Sequence, residues 1–558
     1  MRIEKVKIGN KEVMPLTIPS GIVMTDPRCA KRLLEKCKEI GVWTTKSIGE
    51  NERIVPEGYE VINPDPNKEY GFRESILAQI DDGSLVNAVR LTNPGKDKMR
   101  EYLLKTNIPS DRIINASVFG GSIREVVSVI KTLEGVVDTI EINGSCPHSE
   151  KGGMLIGLEP KTVYNFVTAA VQVTKKPVLF KITPNTTNEN IGLIARAVKE
   201  AGGAGVVAIN TVGPYIHYVD GHAVLTSKIG GGISGSRIKE RGVECIRVVR
   251  KAVPDEDFLI FAMGGIRTAR DVEDYMAARA NVCGIGSALA GMNENELANY
   301  FPTIVSDLEN GTNYAEKLLK KVDMNYKRVT IDDIIDDNCD FKVIKTTNNI
   351  NAKPGQFVFA WLPGVGEKPF SIMDNSPLTL GILERGEFTK KFSSLKEGDY
   401  FYVRGPYGIA PSVNNGEEVA LVGGGCGIAG LYLFAKQLSK KAKVTTLLAA
   451  KDKEHIPYIK KFENCGEVYI ATEDGSLGRK GLVTDLLKEV KLRKQSYFLN
   501  CGPKAMVEAV LPLELKISVP ERVYSSVDYM TRCGTGICGS CADEKGRRTC
   551  VEGPFMNL

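Results

Sequence analysis

The chain has 558 residues, which is enough for three or four domains of ordinary size. Apolar residues make up 42% and charged residues 25%, as in a typical globular protein, so each domain can bury a normal core. The formal net charge is +5 and the basic residues are scattered among acids, which argues against a nucleic-acid partner.

The N-terminus and the cysteines bear on the compartment. The N-terminal residues carry charges where a signal peptide would be apolar. The uncharged run Val419–Phe434 is too short and too rich in glycine to cross a bilayer, so no membrane partner is expected. Of the thirteen cysteines only the last four are clustered, which does not suit a disulfide framework. We therefore expect a cytoplasmic protein.

Eight apolar runs rich in strand-forming residues occur before residue 312, and helical patterns separate most of them. Eight strand–helix units predict an α/β fold, a closed (β/α)₈ TIM barrel, over residues 1–312. The predicted strands are Thr17–Val23, Val42–Ile48, Ile113–Phe119, Thr139–Asn143, Pro177–Thr183, Gly205–Thr211, Phe258–Met263 and Val282–Gly286. The clearest helical patterns are Ala30–Ile40, Ser122–Leu133, Asn188–Ala201 and Ala269–Ala280.

The pattern changes after residue 312. Residues 313–327, with a charged helix at about Tyr314–Val322, are predicted to be a linker. Residues 328–412 contain short strands with glycine and proline turns, typical of a small antiparallel β-barrel. Residues 413–522 return to alternating strands and helices, which predicts a parallel α/β nucleotide domain. Residues 523–558 are dense in cysteine and form the last predicted domain.

The last four cysteines form the most specific motif. Cys533, Cys538 and Cys541 have the C-x₄-C-x₂-C spacing of plant-type [2Fe–2S] sites, and Cys550 follows as a fourth ligand. Glycines between them let a loop wrap tightly around a cluster. A structural zinc site is the alternative, but such sites usually carry two C-x₂-C pairs, and this segment has only one.

A glycine-rich turn follows an apolar strand in the predicted nucleotide domain. Its residues Gly423, Gly424, Gly425 and Gly427 lie between a strand and a helix. There the backbone can approach a dinucleotide, and the helix N-terminus faces the phosphates. A tight strand–helix turn also needs glycine, so this signal is weak when taken alone.

Two polar residues stand at the ends of predicted barrel strands, where such barrels carry their catalytic groups. Cys146 follows the fourth strand and could act as a general base if its pKa were lowered, although a lone cysteine is more often part of a core. Lys181 has the apolar neighbours Phe180 and Ile182, so its strand is expected to be buried. A cation in that position could stabilise an anionic ligand.

Residues 328–558 resemble the electron-transfer subunit of class 1B dihydroorotate dehydrogenases. Lys368-Pro369-Phe370-Ser371 resembles the R-P-[FY]-S motif of ferredoxin-reductase-like flavoproteins, and the turn at Gly405 resembles their G-P-x-G turn. The resemblance implies FAD at these two motifs and a nicotinamide nucleotide at the glycine-rich turn. No basic cluster that would clearly select a 2′-phosphate follows the strand Lys443–Leu448, which favours NAD over NADP. Lys368 stands where the family has arginine, which keeps the charge but loses the bidentate fork.

The string Asn143-Gly144-Ser145-Cys146-Pro147-His148 resembles the active-site loop of class 1 dihydroorotate dehydrogenases and of dihydropyrimidine dehydrogenases. In both families the cysteine moves a proton at the ring carbon beside the one that exchanges hydride with FMN, which implies that Cys146 is catalytic. The implied FMN contacts are Ser20, Gly21, Lys46, Ser47, Lys181, Gly235, Gly264, Gly265, Gly286 and Ser287. The implied substrate contacts are Lys46, Asn87, Asn143, His148, Asn210 and Thr211.

Two departures leave the substrate open. His148 and the pair Asn210-Thr211 match the dihydropyrimidine family, whereas the dihydroorotate family has asparagine at the position of His148. Arg90 stands where the dihydroorotate family has glycine, and it could pair with a carboxylate or point to solvent.

The leading hypothesis is dihydroorotate oxidation by FMN, with electrons passing through the [2Fe–2S] cluster and FAD to NAD⁺. The two halves, which are separate polypeptides in class 1B enzymes, are expected to be fused here, and the resemblance suggests a homodimer through the barrel. One alternative is a dihydropyrimidine enzyme running as an NADH-dependent reductase. The other is a non-catalytic subunit that distributes electrons within a larger complex.

Overall fold

The computed structural model describes residues 3–54, 75–145, 156–225, 227, 229–335, 340–526 and 530–557. The chain divides into two compact units. The first contains the described residues before Asp323 together with Thr535–Arg548, and the second contains the remaining described residues.

The first unit is built around a closed barrel of eight parallel strands, as the sequence predicted. Several strands end earlier than the predicted runs, so that Ser20 and Lys46 lie on loops just beyond a strand end. In order around the barrel the strands are Gly205–Ala208, Leu259–Met263, Val282–Gly284, Leu16–Ile18, Ile40–Thr44, Ile113–Val118, Thr139–Asn143 and Val178–Lys181.

Five of the nine helices described in the first unit begin at a side chain that accepts a hydrogen bond from a free N–H group of the first turn. Ser122 accepts from the backbone N–H of Glu125, and Thr187 accepts from that of Asn190. Such caps typically contribute about 1 kcal/mol each. The helices are Pro27–Lys36, Lys96–Thr106, Ile123–Leu133, Pro160–Val173, Asn188–Glu200, Lys239–Ala252, Ala269–Ala277, Glu294–Asn310 and Ala315–Leu318. The last is shorter than the predicted helix Tyr314–Val322.

Additional antiparallel strands, which the sequence did not predict, complete the first unit. A four-stranded sheet contains, in order, Val212–Tyr215, Gly231–Gly235, Ser84–Asn87 and Leu77–Asp81. Two hairpins pair Val6–Ile8 with Lys11–Val13 and Tyr218–Val219 with His222–Ala223. These strands have five residues or fewer, and Gly231–Gly235 is rich in glycine. Neither their length nor an alternation of apolar and polar residues therefore predicts them from the sequence.

The second unit contains a closed antiparallel barrel and a parallel sheet, also as predicted. The barrel strands, in order, are Lys327–Ile335, Phe341–Thr346, Leu378–Leu383, Gly366–Asn375, Phe357–Leu362 and Tyr400–Tyr407. The sheet strands, in order, are Arg479–Lys480, Glu467–Thr472, Lys443–Ala450, Glu418–Gly424, Tyr497–Cys501 and Val523–Ser526. The helices are Glu387–Ser393, Tyr432–Leu438, Ile459–Glu463, Val483–Glu489, Lys504–Glu514 and Thr549–Glu552.

One apolar cluster joins the barrel and the sheet of the second unit. Phe341 and Met373 of the barrel belong to the same buried cluster as Leu421 and Phe434 of the sheet layer. Burial of side chains of this size contributes about 1.5–3 kcal/mol each, so the two parts stabilise one another. Among the helices that the structure describes, none has both the length and the apolar composition needed to cross a bilayer.

A buried carboxyl group lies behind the parallel sheet. Glu514, at the end of helix Lys504–Glu514, is fully buried. Its Oε2 accepts a hydrogen bond of 2.7 Å from Asn500 Nδ2, and the same nitrogen donates to Ser525 Oγ at 3.1 Å. Burial raises the pKa of Glu514 to about 7, against the opposing effect of the bond from Asn500.

Glu514→Gln is expected to remove a pH dependence of stability. The unfolded carboxyl ionises near 4.5, whereas the folded one keeps its proton until the pH reaches its raised pKa of about 7. Wild-type stability should therefore fall by about 3 kcal/mol as pH rises between these values, and Gln, which carries no charge, should not show this loss. Urea unfolding followed by circular dichroism at pH 5 and pH 8.5 measures the effect.

Glu508→Gln is the matched control, because Glu508 lies exposed on the same helix and pairs with Lys504 across one turn. Equal pH profiles for the wild type and the Glu514 variant would contradict the prediction.

Candidate functional site

A cavity opens at the carboxyl ends of the barrel strands in the first unit. Its wall contains every predicted barrel residue that lies in the described part of the chain. These are Ser20, Gly21, Lys46, Ser47, Asn87, Asn143, Lys181, Asn210, Thr211, Gly235, Gly264, Gly265, Gly286 and Ser287. Cys146 and His148 lie outside the described residues, although Ser145 directly precedes them.

Lys181 in the cavity wall belongs to a buried ion pair. Lys181 Nζ lies 3.5 Å from Glu141 Oε1, and both side chains are almost fully buried. Glu141 also accepts hydrogen bonds from Asn115 Nδ2 at 3.0 Å and Ser117 Oγ at 3.2 Å. A buried carboxylate is tolerated when its oxygens are bonded in this way, and in return it holds the ammonium group at the cavity wall.

Hydrogen bonds connect this ion pair to amides that lie on or just beyond the two strands next to that of Lys181. Ser117 Oγ is 2.9 Å from Ser47 Oγ, which accepts from Asn143 Nδ2 at 3.0 Å. Asn143 Oδ1 accepts from Ser145 Oγ at 2.9 Å, and Ser145 Oγ accepts from Asn210 Nδ2 at 2.7 Å. Both amide side chains are therefore fixed in orientation, which suits recognition of a polar ring.

Two glycines let backbone segments meet at the cavity rim. Gly235 and Gly265 have φ of +96° and +73°, a region that favours glycine. A Cβ atom on Gly265 would lie 2.8 Å from the carbonyl oxygen of Gly235, and one on Gly235 would lie 2.0 Å from that of Gly83. The close approach leaves a rim of bare backbone, which suits an extended, phosphate-bearing ligand.

Lys46, Arg90 and Cys538 complete the wall with charged or reactive groups. Lys46 Nζ donates to the carbonyl oxygen of Arg90 at 3.3 Å, and Arg90 has a positive φ of 61°. Segment Thr535–Arg548 packs on the barrel through bonds such as Val23 N–H to the carbonyl of Ile537, 2.7 Å. This packing brings Cys538, one of the predicted cluster ligands, to the cavity wall.

In the second unit, two predicted flavin motifs lie on either side of one strand. Strand Phe357–Leu362 pairs with Lys368-Pro369-Phe370-Ser371 on one side, with Lys368 opposite Ala360. On its other side Phe359 pairs with Arg404, next to Gly405. The antiparallel register therefore brings together motifs that are more than thirty residues apart.

The glycine-rich turn lies where the parallel sheet reverses its order. Gly423 and Gly424 end a strand that lies between the next strand in the chain, Lys443–Ala450, and a later one, Tyr497–Cys501. Gly425 and Gly427 begin the turn that follows this strand. A Cβ on Gly427 would lie 2.3 Å from the carbonyl of Cys501, the end of the adjacent strand. Open α/β sheets bind nucleotides in such a crevice.

The flavin and nucleotide motifs also meet each other. A Cβ on Gly430, in the same turn, would lie 3.3 Å from Ser371 Oγ and 3.2 Å from Cys501 Sγ. Ser371 and the glycine-rich turn are thus neighbours within the second unit.

The four clustered cysteines are all buried, with two in each unit. Cys538 and Cys541 belong to the first unit, and Cys533 and Cys550 belong to the second. Four buried thiols on one short segment are a donor set that fits a [2Fe–2S] cluster. Among the described side chains, no three His, Cys, Asp or Glu residues are arranged around a single ion position.

Sequence reasoning missed Glu141, Ser117 and Asn115. Glu141 carried a detectable signal, because it is a charged residue inside the apolar strand Thr139–Asn143. The two other residues carried none, since short polar side chains on strands are common and their partners come from different strands.

The fold and the cavity define a class of protein, a barrel enzyme with its site at the carboxyl ends of parallel strands. The model of the dihydroorotate dehydrogenase family matches residues 11–309. The chain belongs to the dihydroorotate dehydrogenase family, whose members are oxidoreductases.

Relatives of two kinds are similar to this chain. A probable electron transfer subunit of dihydroorotate dehydrogenase B (NAD(+)) from Thermococcus kodakarensis is 40% identical over 232 residues, which is 41% of this chain and 96% of the relative. The catalytic subunit of dihydroorotate dehydrogenase B (NAD(+)) from Methanocaldococcus jannaschii is 36% identical over 279 residues, 49% of this chain and 83% of the relative.

The solved structure of an NADH-dependent reduced ferredoxin-NADP oxidoreductase is 29% identical in sequence to this chain, and the match covers 42% of this chain and 88% of the chain in that structure. Its TM-score of 0.36 is too low to carry an argument about the fold.

Lys181→Met and Glu141→Gln are each expected to destabilise the barrel by about 3–5 kcal/mol, because each leaves a buried charge alone. The double variant should lose clearly less than the sum of the two single losses, since both charges are then gone. Urea unfolding followed by the fluorescence of Trp43, a buried barrel residue, measures the stability of the wild type, the two single variants and the double variant, which together form a double-mutant cycle.

The cycle is best measured in a Trp361→Phe background. The chain has two tryptophans, and Trp361 lies in the second unit, so this change leaves a signal from the first unit alone. Additive losses would show that the two side chains do not interact.

Proposed function

We propose that this chain oxidises dihydroorotate to orotate in the barrel cavity and passes the electrons through its second unit to NAD⁺. The observation that carries the proposal is the cavity whose wall collects all the predicted barrel residues in the described part of the chain. The similarity to both a catalytic and an electron transfer subunit supports joining the two half-reactions in one polypeptide.

The residues in each site fit the groups that this reaction requires. FMN would be held by Lys46, Lys181 and the backbone rim at Gly235 and Gly265. FAD would be held by Lys368–Ser371 and Gly405, NAD by Gly423–Gly427, and a [2Fe–2S] cluster by Cys533, Cys538, Cys541 and Cys550. When bound, the flavins and the cluster supply the redox chemistry, because flavins exchange one or two electrons and the cluster exchanges one.

The side chains of the cavity would bind the ring and move its proton. Oxidation removes a proton and a hydride from neighbouring ring carbons, and we assign the proton to Cys146 as general base. Asn143 and Asn210 present amides that match the donors and acceptors of a pyrimidine ring, and their orientation is fixed through Ser145. Arg90, which lines the cavity, would pair with the carboxylate of dihydroorotate.

The proposal includes the division of the chain along its length. Residues 1–312 would form the FMN barrel, 313–327 the linker, 328–412 the FAD barrel, 413–522 the NAD domain and 523–558 the cluster segment. We also propose a cytoplasmic enzyme that forms a homodimer through its barrel.

A second candidate is a dihydropyrimidine enzyme that reduces uracil or thymine with NADH. Asn210 and Thr211, both in the cavity wall, support it, because that family carries the same pair. A third candidate is not an enzyme but a subunit that distributes electrons within a larger complex. It differs from both enzymes because no ring substrate should reduce the protein.

Anaerobic mixing with dihydroorotate, dihydrouracil or dihydrothymine separates these candidates. We expect dihydroorotate to bleach the flavin absorbance, and Cys146→Ser to slow this step by about 10²–10⁴-fold because the base is lost. Reduction by NADH, which does not use that base, should keep its rate. Stopped-flow absorbance measures both half-reactions.

Cys245→Ser, on a barrel helix away from the cavity, is the control for loss of a buried thiol. Bleaching by dihydrouracil or dihydrothymine alone would favour the dihydropyrimidine enzyme. An absence of bleaching by all three compounds would favour the non-catalytic subunit.

Arg90→Gln is expected to weaken the binding of orotate by about 10–100-fold, because a charge-assisted hydrogen bond to the carboxylate is lost. Uracil lacks the carboxylate, so its weaker binding should not change. Titration of the flavin absorbance with each ligand measures both affinities. Arg124→Gln, an exposed arginine outside the cavity, is the control. Equal losses for orotate and uracil would contradict a role in reading the carboxylate.

A further inference from the structure

Residues 404–409 hold both ends of the cysteine segment within the second unit. Arg404 Nη1 donates to the carbonyl oxygen of Cys533 at 2.8 Å, and Nη2 donates to that of Arg532 at 3.2 Å. The N–H of Ile409 donates to the carbonyl of Gly553 at 2.6 Å. One strand end therefore anchors the chain at Cys533 and again three residues after Cys550.

The guanidinium of Arg404 is fixed on every side. It is fully buried, and the carboxylate of Glu367 accepts hydrogen bonds from its Nε at 2.6 Å and from its Nη2 at 2.8 Å. The ring of Phe359 lies 3.9 Å away. Burial alone would lower the pKa of Arg404, but the carboxylate of Glu367 holds that pKa well above its usual value.

Only a planar fork can make this set of contacts. The guanidinium meets both carboxylate oxygens of Glu367 on one edge and two backbone carbonyls on the other, which an ammonium group cannot do. Tyr407 adds a third restraint, because its hydroxyl accepts from Nη1 at 3.2 Å. Its ring would lie 2.9 Å from a Cβ on Gly534, so it also packs against the residue after Cys533.

We propose that Arg404, neutralised by Glu367, is the positioning residue of the iron–sulfur site and fixes Cys533 against the flavin-binding barrel. This rests on the proposed function, in which Cys533 is a cluster ligand. Arg404 pairs with Phe359, and Phe359 pairs on its other side with Pro369 of the proposed FAD motif. The strand that carries Arg404 also carries Gly405 of the proposed FAD site, and strand Phe357–Leu362 alone separates it from Lys368–Ser371.

A positioning role is tested by comparing cluster content with flavin content in the full-length protein. Arg404→Lys keeps the charge and removes the fork, and Glu367→Gln removes the neutralising charge while keeping the shape. Both variants are expected to lose iron and acid-labile sulfide several-fold, while FAD per chain stays at the wild-type level. The remaining cluster should give a broadened electron paramagnetic resonance signal after reduction, because Cys533 is no longer held in one position.

Arg328→Lys is the matched control, since Arg328 is an exposed arginine on the strand paired with Tyr400–Tyr407 and stacks on Tyr400 at 3.8 Å. It should keep both iron and FAD. Wild-type iron content and an unchanged signal in both test variants would overturn the inference, as would parallel loss of iron and FAD, which indicates a general folding role. Wild-type protein that contains no iron when purified anaerobically would instead overturn the proposed cluster itself.

Discussion

Closure of the parallel barrel is the constraint on which the site depends. When eight parallel strands close into one ring, all their carboxyl ends meet at the same rim. Ser20 follows the first of these strands in the chain and Ser287 follows the last, yet both line one cavity. An open sheet with the same strands would hold these residues far apart, so the site exists only because the barrel closes.

Buried ion pairs then hold individual side chains of both units in defined positions. Lys181 is paired with Glu141 inside the first unit, and Arg404 is paired with Glu367 inside the second. A buried charge without a partner costs several kcal/mol, so neither side chain can leave its position cheaply. Restraint of this kind matters for a protein that transfers protons and electrons, because both processes depend steeply on the separation and orientation of the groups involved.

Some parts of the site could not be predicted because they depend on contacts between distant segments. The sheet that contains Leu77–Asp81 and Gly231–Gly235 brings Asn87 and Gly235 to the cavity, but its strands are too short to show a period of two. Likewise, nothing near Glu141 in the chain indicates that its partner is Lys181 on the next strand. Cys538 was predicted as a metal ligand, and only packing of Thr535–Arg548 on the barrel shows that it also lines the cavity.

By itself the sequence determined the eight strands of the parallel barrel and the order of the barrel and sheet regions, because alternation of apolar runs and helical patterns is a local property that each segment carries. It also determined which chemical groups the protein carries, since the spacing of Cys533, Cys538 and Cys541 and the motif Lys368–Ser371 can be recognised from the sequence alone. Only the tertiary structure decided which of these groups are neighbours and which charges neutralise one another. The reason is physical: strand register and barrel closure are cooperative properties of the whole unit, and no single segment encodes them.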